Sequence, residues 1–299
     1  MALKKIKVNL IPSLRKLQIK SKGIVGTGKF LGSYKSGFRG KGLEFSNYRQ
    51  YLPDDDAMMI DWKATLRSDK ILIKEYVEER NLDIFFLFDV SDSMVFGSQE
   101  KLKHEYAAEV IASIAHAVIE SGDNIGFALF NDKIVKEVPI DRGMNQYYIL
   151  AKTLVNPEFY GGNFDFDSTA DYILNKLKKD SILIIVSDFI GLKQTWVKKL
   201  EYLCGRFRVI GVMVRDPRDR TLPEMDGQQV IIEDPYTHEQ IAIDSDLLKY
   251  AYEAEVKAQE KNTEQAFVKN NSPFLSLDTS KDFAKPLMNF FRSLGERRH

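Results

Sequence analysis

The chain carries one cysteine, Cys204, in 299 residues. A single thiol excludes an intrachain disulfide and any multi-cysteine metal site, and it fits a reducing compartment. No positioned histidine accompanies it, so Cys204 is expected to be a core residue. The histidines His104 and His116 fall twelve positions apart on one predicted helix, too far to share a metal. No apolar run approaches the roughly 18 residues of a membrane-spanning helix. Lys4, Lys5 and Lys7 are not followed by a long apolar segment, so no cleaved leader is expected. Net charge is zero. The overall field therefore argues neither for nor against nucleic acid, and no such partner is expected. Internal repeats and low-complexity linkers are absent from the sequence. A cytoplasmic protein is the reading that follows.

What the chain does have is concentrated in Leu82–Met94, reading Leu-Asp-Ile-Phe-Phe-Leu-Phe-Asp-Val-Ser-Asp-Ser-Met. Ile84 to Phe88 is an unbroken apolar run of aromatic and branched side chains, the pattern of a strand buried on both faces. It ends in three oxygen-bearing side chains at alternate positions, Asp89, Ser91 and Ser93, with Asp92 directed elsewhere. Open α/β sheets place their ligand sites at the carboxyl ends of such strands.

Residues 1–80 read as a basic amino-terminal helix followed by a β-rich segment. Met1 to Gly23 holds seven Lys or Arg and no acid. Leu10, Ile11, Leu14 and Leu17 recur at helical spacing, consistent with a packing helix or a helix lying on a surface. The glycines from Gly23 to Gly42 are not followed by Gly-Lys-Ser/Thr, so they suit turns and bulges and not a phosphate loop. Asp54, Asp55 and Asp56 repel one another unless cations lie near, and Arg49 and Arg67 are the candidates. Asp61 and Trp62 are expected to be structural, a buried ring beside a paired carboxylate. Lys70–Val77 alternates as a half-exposed strand.

Residues 81–299 alternate strands and helices. The sequence predicts strands at Ile84–Phe88, Asn124–Phe130, Lys133–Ile140, Ser181–Ser187, Phe207–Val214 and Phe274–Leu277. Helices are expected over Lys101–Glu120, Gly143–Leu154, Asp167–Leu177, Leu192–Leu203, Leu247–Val268 and Phe283–Leu294. Gln229–Glu233 and Gln240–Ile243 form a predicted hairpin. The Asn131-Asp132 turn is too short for a crossover, so the third strand must run antiparallel at an edge. The expected fold is a doubly wound, mostly parallel α/β sheet of order 3-2-1-4-5-6 with strand 3 reversed. Its crevice opens between strands 1 and 4, which end at Asp89 and Asp188, and the Gly161-Gly162-Asn163 loop can reach the same lip.

Asp89, Ser91, Ser93, Asn163 and Asp188 make a hard-oxygen set. Such a set suits Mg²⁺ or Mn²⁺ and not zinc, which prefers His and Cys. A metal would relieve the repulsion of the two carboxylates, with Asp188 acting from behind the ligands or through water. A loop of helix-capping residues is the plainer use of the same Asp and Ser positions.

Asp89-Val90-Ser91-Asp92-Ser93 resembles the Asp-x-Ser-x-Ser of von Willebrand factor type A domains, the first part of their metal-ion-dependent adhesion site. Asp188 matches that family's late aspartate, and Asn163 stands where it usually has Thr. The resemblance extends to a bacterial and archaeal family of unknown function found with MoxR-type AAA+ ATPases. Arg39–Phe45, Arg49–Pro53, Asp55-Asp56, Ile60-Asp61-Trp62, Glu233-Asp234-Pro235 and Leu277-Asp278-Thr279 are similar to its signature. The similarity covers Gly23 to Leu294. Departures are Asp54 where that family usually has Gly and Met58 where it usually has Arg. Longer members carry membrane anchors, and no such segment stands in this sequence.

The resemblance implies a non-enzymatic interaction module whose metal accepts a partner's carboxylate. It also implies that the chain works with a MoxR-type AAA+ ATPase on a client protein in chaperone-like assembly. Two alternatives stay open. One is a metal-dependent hydrolase with Asp89 as nucleophile, although a phosphatase of that kind wants a carboxylate where Ser91 stands. The other is a metal-free scaffold. No Gly-x-Ser-x-Gly elbow surrounds Ser93, so serine nucleophile chemistry is not expected.

Overall fold

Ile84–Phe88 becomes the middle of a central strand because nothing in it can face water. In the computed structural model, which describes residues 43–53, 55–78, 81–225 and 229–296, all five side chains are buried. The amino-terminal basic segment, the glycine-rich stretch and Asp54 lie outside the described residues. Residues 32–81 form one unit, and the sheet begins a second at Leu82.

In the first unit, β1 (Leu43–Gln50) pairs antiparallel with β2 (Leu72–Glu78), with an irregularity between Phe45 and Asn47. Arg49 grips Asp55 with two 2.7 Å bonds, which answers part of the acidic run. Asp61 caps the short helix α1 (Trp62–Thr65), accepts from the Tyr48 hydroxyl and pairs with Lys74 at 3.1 Å. Trp62 departs from the expectation of a buried ring: it is 64% exposed. The capping role of Asp61 explains this, because it makes Trp62 the first residue of a one-turn helix and turns the ring outward.

The second unit is a mixed α/β body around a six-stranded, mostly parallel sheet. Its strands are β3 (Asp83–Asp89), β4 (Asn124–Phe130), β5 (Ile134–Asp141), β6 (Ile182–Ser187), β7 (Arg208–Arg215) and β10 (Phe274–Asp278). They lie in the order β10-β7-β6-β3-β4-β5, with β5 alone antiparallel to its neighbour. Between the strands come α2 (Lys103–Glu120), α3 (Met144–Leu154), α4 (Phe166–Lys176), α5 (Trp196–Arg206) and the short α6 (Pro217–Arg220). A separate hairpin of β8 (Gln229–Glu233) and β9 (Gln240–Asp244) precedes α7 (Ser245–Lys269), and α8 (Ala284–Glu296) follows β10.

Alternate side chains of β3 point to opposite faces, so each face receives a helical layer. Phe85 and Leu87 pack with Phe166, Ile173, Leu200 and Phe267 from α4, α5 and α7. On the other face α2 and α3 lie along β4. Each large apolar side chain so buried contributes about 1.5–3 kcal/mol. Gly211, in the middle of β7, is required by close approach: a Cβ there would stand 2.6 Å from Phe274 and 2.7 Å from Phe267. The helix expected from Leu192 begins only at Trp196. Phe189 and Gly191, at φ of 53° and 82°, hold the chain after β6 in a turn first. Among the described residues no helix is long and apolar enough to cross a membrane.

Candidate metal centre

Parallel pairing of β3 with β6 sets Phe88 opposite Val186. Asp89 and Ser187 therefore leave the sheet side by side, with Asp188 one residue further at the same carboxyl end. Asp89 Oδ2 accepts a 2.6 Å bond from Ser187 Oγ, and its Oδ1 accepts 2.9 Å from the Ser91 amide. Val90 N donates to Phe130 O, which carries the β3–β4 pairing one residue past the strand. Gly161 N then donates to Val90 O at 2.7 Å, and Asp92 N to Gly162 O at 2.9 Å. Those two bonds fasten the Gly161-Gly162 loop to the Asp89–Ser93 loop. A single 3₁₀ turn, Asp92–Val95, closes the latter and buries Ser93.

The two carboxylates are both fully buried, yet their surroundings differ. Asp188 Oδ2 receives the Lys103 ammonium at 2.7 Å, and its Oδ1 accepts from the Ile190 amide at 3.0 Å. Burial alone would raise the Asp188 carboxyl, but Lys103 and then Arg215 hold it below the usual range. Lys103 is itself fully buried and bridges to Asp219 at 2.9 and 3.0 Å. Asp219 rises above the usual range through burial, because it shares that one ammonium and also faces Asp188. Among the described residues no such cation meets Asp89. Burial, then the charge of Asp188, push its carboxyl up to about 7, against the pull of its bonds to Ser187 and Ser91.

A model for a protein family of unknown function, DUF58, matches residues 47–262. The chain belongs to the DUF58 family. It is 25% identical over 258 residues to the uncharacterized protein Rv1480 of Mycobacterium tuberculosis strain H37Rv, spanning 85% of this chain and 80% of that one. Among solved structures it is similar to the conserved hypothetical protein BatB of Bacteroides thetaiotaomicron. That likeness has 12% identity and a TM-score of 0.47, and covers 72% of this chain and 100% of that one. A von Willebrand factor type A protein of Catenulispora acidiphila is similar at 9% identity and a TM-score of 0.36, over 75% of this chain and 44% of that one.

In this DUF58 chain, four of the five residues singled out from the sequence come together: Asp89, Ser91, Ser93 and Asp188, all buried. Asn163 does not join them. Its loop reaches the lip, but its side chain is exposed, and among the described residues no hydrogen bond ties it to the other four. The two hydroxyls that follow in the chain do not take its place. Ser168 is exposed and bonds to Asp165, while Thr169 is buried inside α4 with its hydroxyl unpartnered among the described residues.

Sequence reasoning missed Lys103, Asp219, Ser187 and Tyr236. The tip of the β8–β9 hairpin brings the Tyr236 hydroxyl to 3.4 Å from Ser91 Oγ, and it donates to Ile190 O at 3.2 Å. Gly191 makes room for it, since a Cβ there would sit 2.8 Å from the tyrosine ring.

Among the described residues no group of three or more His, Cys, Asp or Glu is placed to hold a metal. A centre here must therefore draw on hydroxyls, and their spacing suits it. Ser91 Oγ and Ser93 Oγ lie 3.4 Å apart, as do Ser91 Oγ and the Tyr236 hydroxyl. Good O–H···O bonds are shorter, about 2.7–2.8 Å. Neighbouring oxygens around a Mg²⁺ bound at about 2.1 Å stand roughly 3 Å apart. Two serine hydroxyls spaced in this way, beside a buried carboxylate that no cation meets among the described residues, fit a small divalent ion. Asp188, already held by Lys103 and a backbone amide, fits an outer position.

Proposed function

We propose that the chain is a metal-dependent protein-interaction module and not an enzyme. Asp89, Ser91 and Ser93 would hold Mg²⁺ or Mn²⁺, with Asp188 assisting through water, and the ion would offer a partner's carboxylate an open coordination position. The observation that carries this reading is the contrast between the two buried acids: the Lys103 ammonium stands 2.7 Å from Asp188, whereas among the described residues Asp89 is met only by a hydroxyl and an amide. An uncompensated carboxylate at the carboxyl end of the central strand is the feature a bound cation would relieve.

Within that reading the chain's own residues divide the work. Ser187 and the Ser91 amide fix the Asp89 carboxylate, the Gly161-Gly162 loop clamps the serine loop, and Lys103 keeps Asp188 in place. The partner side would be an exposed Asp or Glu. On the sequence resemblance we propose a MoxR-type AAA+ ATPase as the working partner, with this chain presenting a client protein to it in a cytoplasmic, chaperone-like assembly.

Calorimetric titration of the full chain with Mg²⁺ and Mn²⁺ tests the metal. Binding is expected for the wild type and is expected to vanish in Asp89→Ala with near-ultraviolet circular dichroism retained. Wild-type heats of binding in Asp89→Ala would end the assignment of Asp89. One observation favours a second reading, a metal-free scaffold: the buried ammonium already gives Asp188 its counter-charge, and a proton on Asp89 would complete the balance. The same titration separates the two. Phosphatase turnover with Mg²⁺, lost in Asp89→Asn, would instead favour a hydrolase.

A further inference from the structure

The hairpin of β8 and β9 is an outlier in the sheet unit. Its strands pair only with each other and not with the six-stranded sheet. Most side chains of its strands are exposed, including the apolar Ile231 and Ile241. The tip is nonetheless well defined. Asp234 Oδ1 accepts from the amides of Tyr236 and Thr237 at 2.8 and 2.9 Å, and His238 N donates to Asp234 O at 3.0 Å. This turn directs one side chain inward, Tyr236. Among the described residues, the side-chain hydrogen bonds that leave the hairpin from Gln229–Gln240 run through its hydroxyl, to Ser91 and Ile190. Its ring lies nearly parallel to Phe164, with centroids 6.4 Å apart.

We infer that Tyr236 is a lid on the candidate metal centre: the hairpin tip holds the phenol over the serines, where a partner's carboxylate has to enter, so docking requires the tip to swing away. This inference rests on the metal reading above and adds its regulation.

Three observations support it. The hydroxyl approaches Ser91 at the same 3.4 Å that separates the two serines, so it sits among the oxygens of the centre and not beside them. A phenol is a neutral and weak donor to a hard cation, so a carboxylate can displace it. The polar attachment is light, one long contact and one 3.2 Å bond, and the half-buried ring packs on Phe164 and Gly191 at the edge of the core while the strands of the arm face solvent. Such segments belong to the low-stability end of a fold, where local opening is accessible. Gly191 completes the arrangement. At φ of 82° it leaves the space in which the ring rests, and its replacement would push the ring out.

The energetic consequence is a reduced apparent affinity. A lid shut in roughly nine molecules of ten weakens carboxylate binding about tenfold, because only the open fraction is competent.

The test uses the full chain loaded with Mn²⁺, with acetate as the carboxylate probe, and compares the wild type with Tyr236→Phe and Tyr236→Ala. Water-proton relaxation reports solvent access to the bound ion. Removing the ring is expected to raise that relaxation and to tighten acetate binding roughly tenfold while Mn²⁺ affinity stays within about threefold. Tyr236→Phe, which keeps the ring and loses the hydroxyl, is expected to fall between. Bound Mn²⁺ with relaxation and acetate affinity unchanged in Tyr236→Ala would overturn the lid and leave the metal reading standing. A fall in Mn²⁺ affinity of about tenfold or more in both variants would make the phenol a strong, lasting ligand and not a displaceable cover, and would also overturn the lid. No Mn²⁺ binding by any of the three proteins would remove the metal reading and the lid together.

Discussion

Two buried aspartates at the same end of the sheet differ chiefly because of one side chain. Lys103 is the first residue of α2 and fully buried, and it divides its ammonium between Asp188 and Asp219. Removing one partner of a buried ionic group leaves the others unneutralised, at a cost of about 3–5 kcal/mol. Lys103→Met keeps most of the stem and removes the charge, so it isolates that cost. The expected outcome is a loss of this size in urea unfolding, partly recovered when Asp219→Asn is added, since one stranded acid is then removed. A loss under about 1 kcal/mol would mean the network contributes nothing net, as some buried ion pairs do. Nothing local in the sequence marks Lys103. Glu100-Lys101-Leu102-Lys103 reads as a solvated helix start, and its partners lie 85 and 116 residues away.

At the scale of elements, the apolar runs and connection lengths made the strands and helices of the sheet unit legible, because a strand buried on both faces has few other sequences open to it. What sequence did not show were contacts made across the fold. Tyr236 meets Ser91 from 145 residues away, and the late start of α5 follows from the turn at Phe189 and Gly191. Trp62 was misread because an Asp-Trp pair looks like a buried one until Asp61 is seen to cap a helix. That cap governs how the β1–β2 element responds to acid. Asp55 is held at about 2, mainly by Arg49, and Asp61 at about 2, mainly by the Ala64 amide and then Lys74. Both lie below the ordinary 3.8. A depressed carboxyl stabilises the folded form above its ordinary value, and that stability is lost as pH falls from about 4 towards 2. Carbon-13 carboxyl titration of the full chain should place both midpoints well under the ordinary value and show the element loosening across that window. The effect should shrink in high salt, since these pairs meet solvent. Midpoints near 4 would contradict it.

Across the whole molecule, the two units differ in what they bury. The sheet unit closes a core over both faces of six strands, whereas among the described side chains of residues 43–78 only Ile73 is buried. One such side chain is worth about 1.5–3 kcal/mol, while fixing each backbone residue costs about 1–2 kcal/mol. A segment of that size without disulfide or metal falls short of independent stability. Cys204, the one thiol, lies in the other unit, so a disulfide cannot compensate. Residues 32–81 expressed alone are therefore expected to give a collapsed amide proton spectrum and no cooperative thermal transition. Residues 82–299 expressed alone should keep a cooperative transition and the ellipticity of an α/β protein. Dispersed amide resonances from the excised segment would show that its exposed residues, Trp62 and Met58 among them, are not what limits it, and the burial argument would fail.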